Sequence, residues 1–176
     1  MSPLPVSVIT GFLGSGKTTL LSHLLRDPAL ARTAVIVNEF GEIGLDHQLL
    51  ERIDGDVVLL PSGCICCTVR GDLSDALRAL HGRRERGELP WFRRVVLEST
   101  GLADPFPIAT TLHADPVLRH HFRLGRIVTV VDALHGSGQL DSHVQSLRQA
   151  AVADAIVLTK SALAGTAATA LLARRL

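Results

Sequence analysis

Near its N-terminus the chain contains a complete G-x-x-x-x-G-K-[ST] pattern, which reads Gly11-Phe12-Leu13-Gly14-Ser15-Gly16-Lys17-Thr18. The apolar residues 6–10 before it are typical of a short buried strand, and residues 19–26 after it have the apolar spacing of a helix. A strand, a glycine-rich loop and a helix in this order form the context of a phosphate-binding loop. The alternative, a glycine-rich turn that only opens a helix, leaves the four fixed positions and both flanks unexplained.

The residue types of this loop suit a nucleoside triphosphate. Glycines let the backbone turn so that successive N–H groups and the following helix N-terminus point at phosphate oxygens. We expect Lys17 to reach the β- and γ-phosphates, and the Thr18 hydroxyl to ligate a Mg²⁺ ion that bridges them. The predicted nucleotide-binding positions of this segment are Gly11, Gly14, Ser15, Gly16, Lys17, Thr18 and Thr19.

Length and composition indicate one ordinary α/β domain over residues 1–176. The chain has 47% hydrophobic residues, 20% charged residues and a formal net charge of +1. These values argue against a surface that coats nucleic acid. No apolar run approaches the roughly 20 residues that span a bilayer, and the first residues lack the features of a signal peptide. The sequence therefore predicts a cytoplasmic protein with no membrane or nucleic-acid partner.

Six apolar runs predict the strands of the sheet: residues 6–10, 33–37, 57–60, 94–97, 127–132 and 155–158. An amphipathic helical pattern covers residues 72–87, and Pro105 and Pro107 favour the start of another helix. Strands that alternate with helices predict a mostly parallel sheet flanked by helices.

Glu98 follows the fourth predicted strand, where a phosphate-loop enzyme places an acidic group that holds Mg²⁺, usually through water. It is therefore a candidate catalytic residue together with Lys17. Three residues later, Gly101 could let a backbone N–H meet the γ-phosphate. The alternative for Glu98 is a helix-capping or solvated side chain.

All three cysteines lie within four residues, as Cys64, Cys66 and Cys67. Thiolates in such a cluster predict a transition-metal site, with zinc favoured and cobalt or copper left open. A tetrahedral site needs a fourth ligand, for which the candidates are Glu39, Glu42 and His47. The alternatives are a redox pair, or two buried cysteines beside one exposed by chance. An incomplete site suits metal transfer better than structural metal binding.

The eight histidines lack a ligand spacing such as H-x-x-x-H. We therefore predict that they are surface or partly buried residues, with His47 kept as a candidate fourth ligand.

Taken together, residues 11–19, 38–42, 63–67 and 98–101 resemble the CobW-like family of P-loop GTPases. The resemblance continues through residues 129–132 and 153–160, so it covers nearly the whole chain. It implies a metallochaperone or metal insertase that binds GTP and GDP with Mg²⁺, hydrolyses GTP slowly, and delivers Zn²⁺ or Co²⁺ to a client protein. It also implies that Thr159 and Lys160 belong to the guanine-reading motif.

Two features depart from the family pattern. Alanine at 162 replaces the Asp that would accept two N–H bonds from the guanine edge, which weakens discrimination of GTP from ATP. Family members also continue beyond this length to complete the GTPase domain and add a smaller domain, so the resemblance implies a C-terminal truncation. Two other functions remain open: a P-loop ATPase or small-molecule kinase with incidental cysteines, and a non-catalytic metal-binding module. The oligomeric state is not predicted.

Overall fold

The computed structural model describes residues 2–37, 57–61 and 70–176, with side chains at 2–37 and 73–176. Its strands are β1 (Leu4–Thr10), β2 (Thr33–Val37), β3 (Val57–Pro61), β4 (Arg94–Glu98), β5 (Phe122–Asp132) and β6 (Ala155–Thr159). Its helices are α1 (Lys17–Leu24), α2 (Arg70–Glu85), α3 (Phe106–Ala114), α4 (Pro116–His121), α5 (Gly136–Ser142), α6 (Val144–Ala151), α7 (Ser161–Ala164) and α8 (Thr166–Arg175). A short 3₁₀ turn occupies Pro28–Leu30.

The strands form one parallel sheet in the order β3-β2-β4-β1-β5-β6. β1 is central, with Ile9 paired with Glu98 of β4 and Thr10 paired with Thr129 of β5. Because all the strands run the same way, their carboxyl ends meet at one edge of the sheet. The phosphate loop follows β1 at this edge.

Apolar side chains on both faces of the sheet explain why the strands read as nearly continuous hydrophobic runs. Along β1, Val8 packs into the cluster that contains Leu77 of α2 and Leu112 of α3. The next residue, Ile9, packs into the opposite cluster with Leu21 of α1. This alternation confirms the predicted parallel sheet flanked by helices.

The strand at residues 33–37 is confirmed, whereas the predicted start of β5 at residue 127 is wrong. β5 begins at Phe122, which pairs with Leu4, and its register on β1 shifts between Val6 and Val8. Two arginines and a glycine interrupt the apolar pattern of this first part, so the strand depends on its pairing with β1.

Helix boundaries differ in two ways from the sequence prediction. α1 begins at Lys17, two residues before the predicted helical pattern, and α2 covers Arg70–Glu85 instead of residues 72–87. The helices α4, α5 and α6 were not predicted. α4 carries a local signal, because the Asp115 side chain accepts hydrogen bonds from the N–H groups of Val117 and Leu118. In the described part of the chain, no helix has the length and apolar character needed to cross a membrane.

Candidate site at the carboxyl edge of the sheet

The loop between β1 and α1 depends on glycine backbone conformations. Gly11, Gly14 and Gly16 have φ angles of 141°, 71° and 90°, values that L side chains rarely adopt. A Cβ on Gly11 would lie 2.2 Å from the carbonyl oxygen of Val130 in β5. The loop therefore needs glycine at this position both for its turn and for its contact with the sheet.

Lys17, the first residue of α1, is largely buried and folds back over the loop. Its Nζ donates hydrogen bonds to the carbonyl oxygens of Gly11, at 2.9 Å, and Phe12, at 3.2 Å. The Lys17 ammonium group thus lies against the first two residues of the loop. Thr19 is exposed on the first turn of the same helix.

Thr18 and Glu98 meet beside this loop. The Thr18 hydroxyl donates a 2.6 Å hydrogen bond to Oε1 of Glu98, whose residue is only 3% exposed. Glu98 ends β4, between Ile9 of β1 and Val37 of β2 in register. A hydroxyl and a carboxylate are oxygen ligands of the kind that Mg²⁺ prefers, so these residues fit the predicted magnesium site.

The loop after β4 packs directly on the phosphate loop through Gly101. A Cβ on Gly101 would lie 2.6 Å from the backbone nitrogen of Leu13. Ser99 adds two bonds to β1, since its N–H donates to the Ile9 carbonyl and its hydroxyl donates to Thr10 Oγ1, each at 2.9 Å. Close packing therefore explains this glycine, and its predicted contact with a γ-phosphate stays a prediction.

Thr159 and Lys160 reach the other side of the phosphate loop. Thr159 Oγ1 donates to the carbonyl of Ser15 at 2.7 Å, and Lys160 Nζ donates to the carbonyl of Gly14 at 2.9 Å. Lys160 itself has a left-handed φ of 55° at the end of β6. The end of β6 is thus attached to the loop that follows β1.

Asp132, which sequence reasoning did not single out as a site residue, holds Lys160 in place. Its Oδ2 lies 2.7 Å from Lys160 Nζ and 3.0 Å from Nδ1 of His135, and its Oδ1 accepts from the Leu134 N–H. Burial alone would raise the pKa of Asp132, but these hydrogen bonds outweigh it and lower the pKa to about 2. The carboxylate is therefore charged at neutral pH. The sequence feature that could have identified Asp132 as a site residue is its position at the end of an apolar strand.

Two further contacts at this edge were also missed. The Phe12 ring stacks on His143, with ring centroids 4.5 Å apart. Gln149 of α6 donates hydrogen bonds to two carbonyls of the loop after β4. No local pattern identifies either pair, because their members are far apart in the sequence.

The predicted transition-metal ligands lie outside the described residues. They are Cys64, Cys66, Cys67, Glu39, Glu42 and His47. Within residues 2–37, 57–61 and 70–176, no three His, Cys, Asp or Glu side chains are placed to hold a metal ion. The seven described histidines are all exposed or partly buried, as the sequence predicted.

Comparisons with known proteins agree with this architecture. A family model described as the CobW/HypB/UreG nucleotide-binding domain matches residues 5–176. The zinc chaperone YjiA of Escherichia coli is 41% identical over 167 residues, which cover 95% of this chain and 52% of that protein. The zinc chaperone CobW of Pseudomonas aeruginosa is 38% identical over 159 residues, covering 85% of this chain and 41% of that protein.

The crystal structure of Zn(II)-bound YjiA GTPase from E. coli superposes with a TM-score of 0.73 at 34% identity. The alignment covers 99% of this chain and 54% of that one. The chain thus spans about half the length of the relatives it matches.

Proposed function

Since this chain belongs to the CobW/HypB/UreG family of nucleotide-binding domains, we propose that it is a GTP-hydrolysing metallochaperone. In this proposal the nucleotide state controls the binding of Zn²⁺, or alternatively Co²⁺, and its delivery to a client protein. The transition metal is the cargo of the protein.

The observation that carries the nucleotide part is the 2.6 Å contact between Thr18 and Glu98 beside the glycine loop. Thr18 and Glu98 would hold Mg²⁺, which would supply the positive charge that stabilises the negatively charged phosphates. Lys17 would exchange its bonds to the Gly11 and Phe12 carbonyls for bonds to the phosphates. A buried carboxylate and a buried lysine at one loop suit phosphate chemistry better than a structural turn.

For the base, we propose GTP over ATP with reduced discrimination. The proposal is supported by the similarity to the YjiA GTPase and by the contacts of Thr159 and Lys160 with the phosphate loop. Alanine at 162 provides no carboxylate for the guanine edge. A titration with GTP and with ATP measures this discrimination, and equal affinities would favour the rival ATPase or kinase function.

For the metal, we propose ligation by Cys64, Cys66 and Cys67, completed by Glu39 or Glu42. The support is the chemistry of three clustered thiols and the names of two relatives, both zinc chaperones. The segment with Glu39 follows β2, and the cysteines follow β3. Both strands end at the edge of the sheet that carries the phosphate loop.

The test is the zinc affinity of the chain, measured by competition with a chromogenic chelator in Mg-GTP, in Mg-GDP and without nucleotide. If the two sites are coupled, bound nucleotide changes the affinity for zinc, and zinc changes the affinity for nucleotide by the same factor. We therefore expect a different zinc affinity in each of the three states. A variant with Cys64, Cys66 and Cys67 changed to Ser should lose tight zinc binding, and Lys17→Ala should lose the nucleotide effect only. Equal zinc affinity in all three states would contradict the coupling. Absence of phosphate release in multiple turnover would favour a non-catalytic module.

A further inference from the structure

Gln149 places a buried amide between α6 and the loop that follows Glu98. The residue is 1% exposed, and its Nε2 donates hydrogen bonds to the carbonyl oxygens of Gly101, at 3.2 Å, and Ala103, at 2.9 Å. Both partners are acceptors, so only the NH₂ end of the amide can face them. The position therefore requires a side chain with two donors.

The backbone of Gln149 is also fixed to the sheet. Thr129 of β5 donates a 2.7 Å hydrogen bond from Oγ1 to the Gln149 carbonyl, which lies in the last turn of α6. Carbonyls in the last turn of a helix lack a partner within the helix, so this bond also completes the helix end. Gln149 thus connects the loop after β4 to β5, through its side-chain amide on one side and its backbone carbonyl on the other.

The Gln149 amide is hydrogen-bonded at its NH₂ end and not at its oxygen within the described part of the chain. Oε1 of Gln149 is buried and makes no hydrogen bond within the described part of the chain. Burying an unpaired acceptor is unfavourable, and an apolar side chain of the same volume would avoid that cost but would leave the Gly101 and Ala103 carbonyls without these donors. What glutamine contributes over such a side chain is its pair of donors to the loop.

The same helix contacts the phosphate loop at its other end. His143, directly before α6, stacks on Phe12, while Arg148 lies 3.6 Å from Asp104 at the end of the loop after β4. Gly101 in turn packs on Leu13. α6 therefore contacts both loops that surround the predicted phosphate position.

We propose that Gln149 is a positioning residue that holds the backbone of residues 101–103 in the arrangement that receives the γ-phosphate. It thereby sets the affinity for GTP relative to GDP. The inference rests on the proposed function, because it assumes that the loop after Glu98 distinguishes the two nucleotides. Without its two hydrogen bonds the loop must be ordered when GTP binds, which costs affinity. Because GDP lacks the γ-phosphate, its affinity should fall little when the two hydrogen bonds are removed.

The test compares Gln149→Glu and Gln149→Met with the wild-type chain. Glutamate has nearly the same shape but turns a carboxylate oxygen toward the two carbonyls, and methionine keeps the volume without any donor. Gln145→Glu is the matched control, since it makes the same change one turn earlier on α6. Calorimetric titration with Mg-GDP and with a non-hydrolysable Mg-GTP analogue gives both dissociation constants for each protein.

We expect both Gln149 variants to bind the GTP analogue about 5- to 30-fold more weakly, as for the loss of one or two hydrogen bonds. Their affinity for GDP should stay within about twofold of the wild-type value. The same holds for the affinities of Gln145→Glu for GDP and for the GTP analogue. An equal loss for both nucleotides would show a merely structural role and overturn the inference, as would an unchanged or increased preference for the GTP analogue.

Two controls separate folding from positioning. If Gln149→Glu does not fold, as judged by circular dichroism, Gln149→Met supplies the comparison. Hydrogen exchange should also be faster in the peptide that covers residues 99–105 in Gln149→Met than in Gln145→Glu, and equal exchange would count against the inference. A wild-type chain that binds neither nucleotide would overturn the proposed function itself. If the wild-type chain binds both nucleotides and the Gln149 variants keep its ratio of GTP-analogue to GDP affinity, only the role of Gln149 is overturned.

Discussion

The Thr18 hydroxyl donates a 2.6 Å hydrogen bond to Oε1 of Glu98, although eighty residues separate them in the chain. The contact exists because β1 and β4 are neighbours in the sheet, with Ile9 opposite Glu98. The fold thus brings together two oxygen groups of the kind that Mg²⁺ prefers as ligands.

This contact predicts a magnesium-specific effect of Glu98→Gln. The amide keeps the shape but removes the negative charge, so we expect a loss of about 10- to 100-fold in Mg²⁺-dependent phosphate release. Release is measured as a function of Mg²⁺ concentration, with Glu88→Gln as the surface control. Binding of GDP without Mg²⁺ should change little. A Glu98→Gln chain with the wild-type Mg²⁺ dependence would contradict the assignment.

Gly101→Ala should destabilise the chain and weaken nucleotide binding. The new Cβ would lie within 2.6 Å of the Leu13 backbone nitrogen, so the two loops must move apart. Overpacking of this kind costs about 1–3 kcal/mol, measured as the free energy of unfolding in urea.

Gly138→Ala is the control for this substitution. Gly138 lies inside α5, and a Cβ there would meet no atom within 4 Å. Alanine in a helix interior is favoured over glycine by up to about 1 kcal/mol, so this variant should be as stable as wild type or more stable. Equal stability of the two variants would mean that the approach of Gly101 to Leu13 is not restrictive.

Asp132→Asn should change how stability depends on pH. Burial raises the pKa of Asp132, but bonds from Lys160, His135 and Leu134 lower it to about 2, against an ordinary value of 3.8. The stability that the carboxylate contributes is therefore fully present above pH 3.8 and is lost as the pH falls toward 2. At pH 7 we expect the variant to be about 1–2 kcal/mol less stable than wild type in urea.

The difference in the free energy of unfolding between Asp132→Asn and wild type should become smaller as the pH falls from 3.8 toward 2. A constant difference between neutral pH and about pH 3 would mean that the charge of Asp132 does not contribute. Asp75→Asn, at an exposed position of α2, serves as the control.

His81 should make the chain less stable in mild acid. Burial lowers its pKa below 6.5, as do the neighbouring His121 and Arg84, while Glu85 opposes the shift. The unfolded chain therefore binds the proton more readily, so stability is full above pH 6.5 and falls as the pH drops below it. His81→Gln should lose less stability than wild type between about pH 7.5 and pH 5 in thermal unfolding. His113→Gln, at an exposed position, serves as the control.

The sequence predicted those strands whose burial produces a continuous run of apolar residues. The run at residues 33–37 is apolar at every position but the first because both faces of β2 are covered. The first half of β5 was missed, since Arg123 and Arg126 break its apolar pattern and its pairing with β1 decides its conformation. α5 was missed because its two glycines and two serines favour no helix.

The phosphate loop was determined by the sequence alone, because its requirements are local. Three glycines with positive φ and a lysine that folds back over the loop all lie within seven residues. The cysteine cluster, equally clear in the sequence, lies outside the described residues, and its metal stays a proposal. Glu98 was recognised as a candidate from its position after a strand, and Lys160 from the resemblance to the family's guanine-reading motif.

Only the tertiary structure decided which of these groups meet. The sheet order β3-β2-β4-β1-β5-β6 differs from chain order, and no local pattern encodes it. That order places the ends of β4 and β6 on opposite sides of the phosphate loop, where Glu98 meets Thr18 and Lys160 meets Gly14. It also carries α6 to the loop after β4, which gives Gln149 its two carbonyl partners. Such contacts arise from strand pairing across long stretches of chain, so the sequence supplies the groups and the sheet supplies their partners.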